Sequence, residues 1–556
     1  MYANTDNVNI LTALLVKWGV RSAVVCPGSR NAAIVHNLNE CPEIECYAVT
    51  DERSAGFFAL GLSQIDDEPV AICVTSGSAL LNVAPAAAEA LYQHRKFIII
   101  SADRPACMID QLQGQTLHQP NALRDFVRKA VNLPEPHDET EHWYCNRLVN
   151  EALIAMERGE GGPVHINVPI SEPLFDFSAE ALPDERKIQL HQDLPDFLTL
   201  MDIAKDFKRA KRPMILIGQT KPEHLEHIHL PMLSLIEYAV VLYEKLADDI
   251  ICEPLHIEEM LIEIEGEEEK YLPDFIVYLG NTFVSKRLKK FLQKAKGART
   301  IIVNRDGELH DVFMNATDVL RSTVYDTLSA LGDAVENKKP TAFMHRWDRL
   351  AYKCRKRYNN FEPDFSQLAV VRAFFDMTLE INCEFQFANS MAVRLGLICS
   401  HSYLFVNRGV NGIEGSLSTA VGYACNVDEL VFCVIGDLSF FYDQNALWNN
   451  NLTNNLRVLL LNNGEGGIFR SLPGLEDSPA SKEFIAAAHH TTAKGICEEN
   501  NVQYYAAHNQ EELYDGLMAL TNPNSMVPVL LEVFTDPEED ERVLQDYLYG
   551  NKKKVN

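Results

Sequence analysis

Asp437 and Asn463 stand 26 positions apart, each at the polar end of an apolar run, VFCVIGD and RVLLLNN. A carboxylate oxygen, an amide oxygen and a backbone carbonyl from the glycine-rich turn after Asn463 are hard donors of the kind Mg²⁺ takes. Mg²⁺ held by so few protein ligands keeps phosphate oxygens as its other partners. The chemistry on offer is anchoring of a diphosphate through a divalent cation. The plainer alternative is a pair of ordinary turns, since loops at strand ends are rich in Gly, Asp and Asn.

The first third offers more such residues. Pro27-Gly28-Ser29-Arg30 follows an apolar run and opens a helical pattern. Backbone N–H groups and one guanidinium there suit an anion, or form a plain turn with a surface Arg. Glu52 opens a helix expected over Glu52–Ser63, whose AGFFALGLS is small and apolar. It is either a carboxylate favoured by the helix dipole or a desolvated acid whose raised pKa suits proton shuttling. Thr75-Ser76-Gly77-Ser78 suggests close backbone approach to a ligand, with Asn82 one turn into the next helix. Ala102-Asp103-Arg104-Pro105 and Gln113-Gly114-Gln115-Thr116 follow.

For Asp437 and Asn463 to meet, both runs must be parallel strands joined by a helical crossover, with their carboxyl ends side by side. That is where open α/β sheets bind ligands. Eleven short apolar runs, from Ala23–Cys26 to Val529–Phe534, recur along the chain, most followed by Gly, Asp, Asn or Ser and then a helical pattern. These are too many for one twisted sheet, so the expected fold class is α/β with several doubly wound parallel-sheet domains. Polar breaks at Ser178–Asp196 and from Glu336–Pro340 divide the chain into 1–178, 197–335 and 360–556. The acidic run Glu263–Glu269 reads as a solvated face or loop, and Lys552–Lys554 as a frayed tail.

Composition narrows the class. A net charge of −28 over 556 residues disfavours nucleic acid or an anionic membrane as partner. Any anionic substrate then needs a local cluster of Arg and Lys. No apolar run reaches the ~18 residues that span a bilayer, and the N-terminus lacks a basic region and cleavage site. Thirteen scattered cysteines without a CxxC pair point to reduced thiols in a cytoplasmic protein, with neither a disulfide frame nor a zinc site.

PGSR, TDERSAGFFALG, TSGSALLN and SADRP in this order, then NRGVNGIEGSLSTAVG and the GD…NN pair, resemble thiamine-diphosphate enzymes of the decarboxylase and acetolactate-synthase type. More narrowly they resemble the 2-succinyl-5-enolpyruvyl-6-hydroxy-3-cyclohexene-1-carboxylate synthases of menaquinone biosynthesis. The likeness covers essentially the whole chain. It implies a pyrimidine-binding, a central and a diphosphate-binding domain. It also implies a homodimer or homotetramer with active sites at the subunit interface. Glu52 would hydrogen-bond the aminopyrimidine, and Ile413 would bend the cofactor. Asp437, Asn463 and the backbone carbonyl of Glu465 would hold Mg²⁺, with Mn²⁺ able to substitute. NNGEGG carries Glu465 where the family commonly has Gly, a change that a backbone carbonyl ligand tolerates. Ser439 would touch the diphosphate, and Thr75, Ser76, Gly77, Asn82, Ser390, Gly436, Leu438, Gly466 and Ile468 would line the cofactor.

The implied reaction decarboxylates 2-oxoglutarate and adds the remaining four-carbon unit to isochorismate in a 1,4 manner. Both substrates are dianions and call for forked cationic contacts. The matching positions are Ser29, Arg30, Arg104, Lys286, Arg287, Arg394 and Arg408, with Gln115 and Ser390 as polar partners and Phe469 and Leu472 as an apolar wall. Arg30, Gln115, Arg394 and Arg408 join Glu52 in the expected catalytic set. For Lys286 and Arg287 a plain surface helix is a serious alternative. IGQT after Met214–Ile217 is a poor dinucleotide fingerprint, so no flavin is expected. The rival functions are another thiamine-diphosphate carboligase, such as an acetolactate synthase, and a non-catalytic ligand sensor on the same fold.

Overall fold

The structure, a computed structural model, describes residues 1–188, 197–225, 227–247, 255–472, 474–475 and 477–550. The expected Lys552–Lys554 tail and the last part of the Ser178–Asp196 break lie outside the described residues.

Three parallel sheets organise the chain. The first holds β1 (Ser22–Val25), β2 (Glu45–Ala48), β3 (Val70–Val74), β4 (Phe97–Asp103), β5 (Lys129–Asn132) and β6 (Val164–Pro169). The central one holds β7 (Pro213–Ile217), β8 (Val240–Tyr243), β9 (Phe275–Leu279), β10 (Arg299–Asn304) and β11 (Asp318–Arg321). The third holds β12 (Cys383–Phe387), β13 (Phe405–Val406), β14 (Leu430–Gly436), β15 (Leu456–Asn462), β16 (Gln503–Ala507) and β17 (Val529–Phe534). The first sheet is ordered β2-β1-β3-β4-β6-β5 and the third β13-β12-β14-β15-β17-β16, the same connectivity laid down twice. The expected fold class, three doubly wound parallel-sheet domains, is what the chain adopts.

Each sheet is covered on both faces, which is why most of its inner strands are rich in apolar residues. In β3, Val70, Ile72 and Val74 point into one cluster and Ala71 and Cys73 into another. The first of these clusters runs without a break from the first domain into the third. Its bridge is the helix Glu52–Leu62 packed on the helix Ser416–Ala424. Phe57, Phe58, Leu60 and Leu62 are all buried there, each contributing roughly 1.5–3 kcal/mol of burial.

Six strands fall outside the eleven runs read from the sequence: β2, β5, β8, β11, β12 and β16, although β8, VVLY, is apolar and buried. Five of them are sheet edges, and four of these, all but β8, carry polar or exposed residues. The sixth, β12, reads CEFQF, and its Gln386 donates to Gln64 across the domain junction at 2.9 Å. The acidic run is only partly a solvated face. Glu263 turns inward to accept from Arg357 at 2.9 Å and from Lys353, both on the helix Ala342–Asn360.

Candidate functional site

β14 pairs with β15 so that Gly436 lies opposite Leu461. Asp437 and Asn463 therefore leave neighbouring strands at the same carboxyl edge. Asp437 is buried and takes N–H donors from Leu438 at 2.7 Å and Gly464 at 2.9 Å. Burial raises its pKa, while these donors and the neighbouring His489 pull it back. His489 Nε2 lies 3.4 Å from Asp437 Oδ2, and His489 Nδ1 accepts from the Thr491 N–H at 3.1 Å. Asn463 donates its Nδ2 to Asp540 Oδ2 at 3.0 Å. Gly464 has φ +77°, which turns the chain back towards Asp437. Glu465 is buried with its carboxylate paired to Arg470.

The loops beside this edge carry the other expected cofactor residues. The Ser439 hydroxyl donates to the Ile413 carbonyl rather than pointing outward. It thereby fixes the loop that presents the Ile413 side chain, which is 41% exposed. Ser390 adopts φ +69° between β12 and the helix Met391–Cys399. Gly466 donates its N–H to Ala486 at 2.7 Å and accepts from Phe469 at 3.0 Å. Phe469 and Ile468 are half-buried and Leu472 is exposed.

In the first domain Glu52 is the first residue of its helix, capped by Asp51. Its carboxylate accepts from Asn82 Nδ2 at 3.0 Å. Its neighbours reach the third domain of the same chain: Asn445 donates to Asp51 at 2.8 Å, and Arg53 donates to the Tyr442 carbonyl at 2.7 Å. Among the described residues no hydrogen bond or ion pair joins Glu52 itself to Asp437 or Asn463.

Thr75 and Ser76 are buried at the end of β3. A Cβ on Gly28 would lie 2.3 Å from that of Thr75, so the PGSR turn packs directly on this loop. Gly77, at φ +83°, donates its N–H to Gln119 Oε1 at 2.7 Å. Gln119 is wholly buried and also donates to Ala102 O at 3.0 Å and Asn167 Oδ1 at 2.8 Å. It was not foreseen. Its only sequence signal is its nearness to Gln115, which has φ +55° and lies against Gly77.

The foreseen cations divide into two groups and an outlier. Arg30 is buried, donates to Ile170 O at 3.0 Å and sits 3.7 Å from Glu172. Burial and then the charge of Arg104 push its pKa down. Arg104 Nε donates to Gly114 O at 3.1 Å, tying β4 to the Gln113–Thr116 segment. Ser29 is exposed at the same turn.

The second group joins the central and third domains. Arg408 donates to Asn389 Oδ1 at 3.0 Å, and its pKa is lowered by burial and by Arg394. Arg394 is likewise lowered by burial, against the pull of Glu258 and Glu244. Lys289 feels Arg408 and Lys286 in the same way. Glu244, unforeseen like Lys289, is the buried counter-charge. Lys286 is exposed at the start of its helix. Arg287 is the outlier, engaged by Glu258, Glu265 and Tyr549.

Residues 6–123 match the family model described as "Thiamine pyrophosphate enzyme, N-terminal TPP binding domain". The whole chain is 42% identical to a 2-succinyl-5-enolpyruvyl-6-hydroxy-3-cyclohexene-1-carboxylate synthase of Bacteroides thetaiotaomicron, covering 100% of both proteins. It is 41% identical to the protein of that name in Bacteroides fragilis, over 99% of each. A Flavobacterium johnsoniae protein of the same name is 33% identical over 95% of this chain and 96% of its own. The chain belongs to the 2-succinyl-5-enolpyruvyl-6-hydroxy-3-cyclohexene-1-carboxylate synthase family.

As a member of that family it is a thiamine-diphosphate-dependent enzyme, and its residues can be tested against the cofactor. A Cβ on Gly436 would meet nothing within 4 Å, so there is open space at the end of β14. Asp437 and Asn463 at that edge carry a carboxylate and an amide oxygen, hard donors suited to Mg²⁺ beside a diphosphate. The arrangement fits both groups.

Proposed function

We propose that this chain catalyses the decarboxylation of 2-oxoglutarate and the 1,4-addition of the resulting four-carbon unit to isochorismate. The product is 2-succinyl-5-enolpyruvyl-6-hydroxy-3-cyclohexene-1-carboxylate, in menaquinone biosynthesis. The observation that carries this reading is the end-to-end likeness, at 41–42% identity, to synthases of that name.

Thiamine diphosphate, when bound, supplies a nucleophilic carbon and an electron sink for the loss of CO₂. Asp437, Asn463 and the Glu465 carbonyl hold Mg²⁺, for which Mn²⁺ substitutes. Ile413 bears on the cofactor from the loop that Ser439 fixes. Glu52 holds and returns a proton at the pyrimidine ring, oriented by Asn82. Arg394 and Arg408, with Lys286, bind substrate carboxylates from one side. Arg30, Arg104 and Gln115 bind them from the other, and Phe469 and Leu472 shield them from water. The clustered arginines, with Arg394 lowering the pKa of Arg408 and Arg104 that of Arg30, favour this reading over an acetolactate-type enzyme, because dianionic substrates relieve that repulsion. Arg287 is the weakest member of the set, since its guanidinium already has two carboxylates.

Two copies of the chain complete each site in a homodimer or homotetramer. This is supported by the exposure of the apolar side chains of Ile413 and Leu81. The enzyme works in the cytoplasm, which suits the twelve free cysteines among the described residues. None of the described helices is long and apolar enough to cross a membrane.

The deciding experiment incubates the protein with thiamine diphosphate, Mg²⁺ and 2-oxoglutarate, with and without isochorismate. Equal loss of 2-oxoglutarate and isochorismate with CO₂ release, abolished without cofactor, is expected. CO₂ release indifferent to isochorismate would make it a decarboxylase or give it another acceptor. No reaction despite cofactor binding would favour a ligand sensor.

A further inference from the structure

The amide of Asn463 can serve a cation only through its oxygen. Nothing within the side chain decides which way it faces, because Oδ1 and Nδ2 have nearly the same shape. The structure shows what decides it. Nδ2 donates to Asp540 Oδ2 at 3.0 Å, so Oδ1 faces the opposite way.

Asp540 lies in the first half of the C-terminal helix Pro537–Tyr549, 77 positions beyond Asn463. Its carboxylate is itself held by the Thr535 hydroxyl at 2.8 Å and by the Gln367 backbone N–H at 2.8 Å. Both oxygens therefore act as acceptors in a fixed frame. With Oδ1 taking the Gln367 N–H and Oδ2 the Thr535 hydroxyl, the carboxylate presents an acceptor to Asn463 and receives its Nδ2 edge.

We propose that Asp540 is a positioning residue for the metal site, locking the Asn463 amide in the orientation that presents Oδ1 to the cation. This rests on the assignment of Asn463 as a Mg²⁺ ligand. It gives the C-terminal helix a part in cofactor binding although it contributes no ligand. Outer partners of this kind are worth about 10–100-fold in metal affinity.

The test exploits the asymmetry. In Asp540→Asn, if Oδ1 of the new amide keeps the Gln367 N–H, its Nδ2 faces residue 463. Asn463 must then turn its own oxygen towards it and its Nδ2 towards the cation. Adding Asn463→Asp inverts the pair: one carboxylate oxygen accepts from the new amide and the other serves the metal. Mn²⁺ binding in the presence of thiamine diphosphate would be followed by electron paramagnetic resonance, with thermal unfolding of the cofactor-free proteins alongside.

The expected result is Mn²⁺ affinity weakened by about tenfold or more in Asp540→Asn and largely recovered in the double variant. Unchanged affinity in Asp540→Asn, or equal weakness in both, overturns the proposal. Should Asp540→Asn not fold, Asn463→Asp is compared with the double variant. The single variant sets two carboxylates face to face, so adding Asp540→Asn must improve binding, and no improvement overturns the proposal. If the wild-type protein binds no Mn²⁺ while Asp540→Asn folds normally, the ligand assignment fails and the proposal falls with it. If wild type binds and Asp437→Asn abolishes binding while Asp540→Asn is silent, only the proposal fails.

Discussion

A methyl group on Gly61 would sit 2.1 Å from the carbonyl oxygen of Thr419. The relation is reciprocal, since a methyl on Gly422 would lie 2.1 Å from the carbonyl of Phe58. The helices Glu52–Leu62 and Ser416–Ala424 thus meet backbone to backbone, each following the second strand of its own sheet. Gly61→Leu must push them apart. The expected cost is about 1–3 kcal/mol or more, read as a lower midpoint in urea unfolding. A silent substitution would mean that the domains do not pack this way in solution.

Glu52→Gln keeps the size of the side chain and removes its titratable proton. Thiamine diphosphate should still bind, while turnover falls by at least about 100-fold. Near-normal turnover with 2-oxoglutarate and isochorismate would remove Glu52 from its proton-handling role.

Arg394→Ala and Arg408→Ala each delete a cation that burial already makes costly. Loss of a charge-assisted contact of about 1.5–3 kcal/mol corresponds to roughly 10–150-fold in kcat/KM. Thermal unfolding of the free protein should move little, because no ion pair to either guanidinium is seen among the described residues. Kinetics left intact would return both residues to a structural role.

Glu244 gives stability a pH dependence. Burial lifts its carboxyl from 4.5 to about 7, although the Val284 and Ser285 N–H groups pull the other way. Between those values the folded chain keeps a proton that the unfolded chain has released. Stability should therefore fall as pH rises through this window and level off above it, by an amount of the order of 3 kcal/mol. Glu244→Gln cannot ionise and should lack that part of the slope. Urea unfolding of both proteins at about pH 5 and pH 8 measures the difference.

Chelation checks the metal. A ligand bound only to the folded state raises its unfolding temperature. EDTA should bring the unfolding temperature of the protein with thiamine diphosphate back to that of the cofactor-free protein, and excess Mn²⁺ should restore it. Cofactor-dependent stabilisation that survives EDTA would separate diphosphate binding from Asp437 and Asn463.

The sequence by itself determined the class of fold and the shared sheet edge at which Asp437 and Asn463 stand. Apolar runs buried on both faces mark inner strands such as β3, β14 and β15 wherever they occur, and the polar residues ending them mark the ligand edge. The positions of Asp437 and Asn463 were legible for that reason, because each ends such a run, while the role expected of Glu52 came from the family resemblance. Tertiary structure decided the rest. The edge strands β2, β5, β11 and β16 lack the pattern because part of their surface stays exposed. Glu244 carries no local signal and Gln119 only its nearness to Gln115, since what makes them notable is the loop each one holds. Arg287 looks like its neighbour Lys286 in sequence and differs only because Glu258 and Glu265 fold against it. Asp540 reads as one more acid in a helix whose first turn is already acidic. Only the packing of that helix on the end of β15 gives it Asn463 to orient.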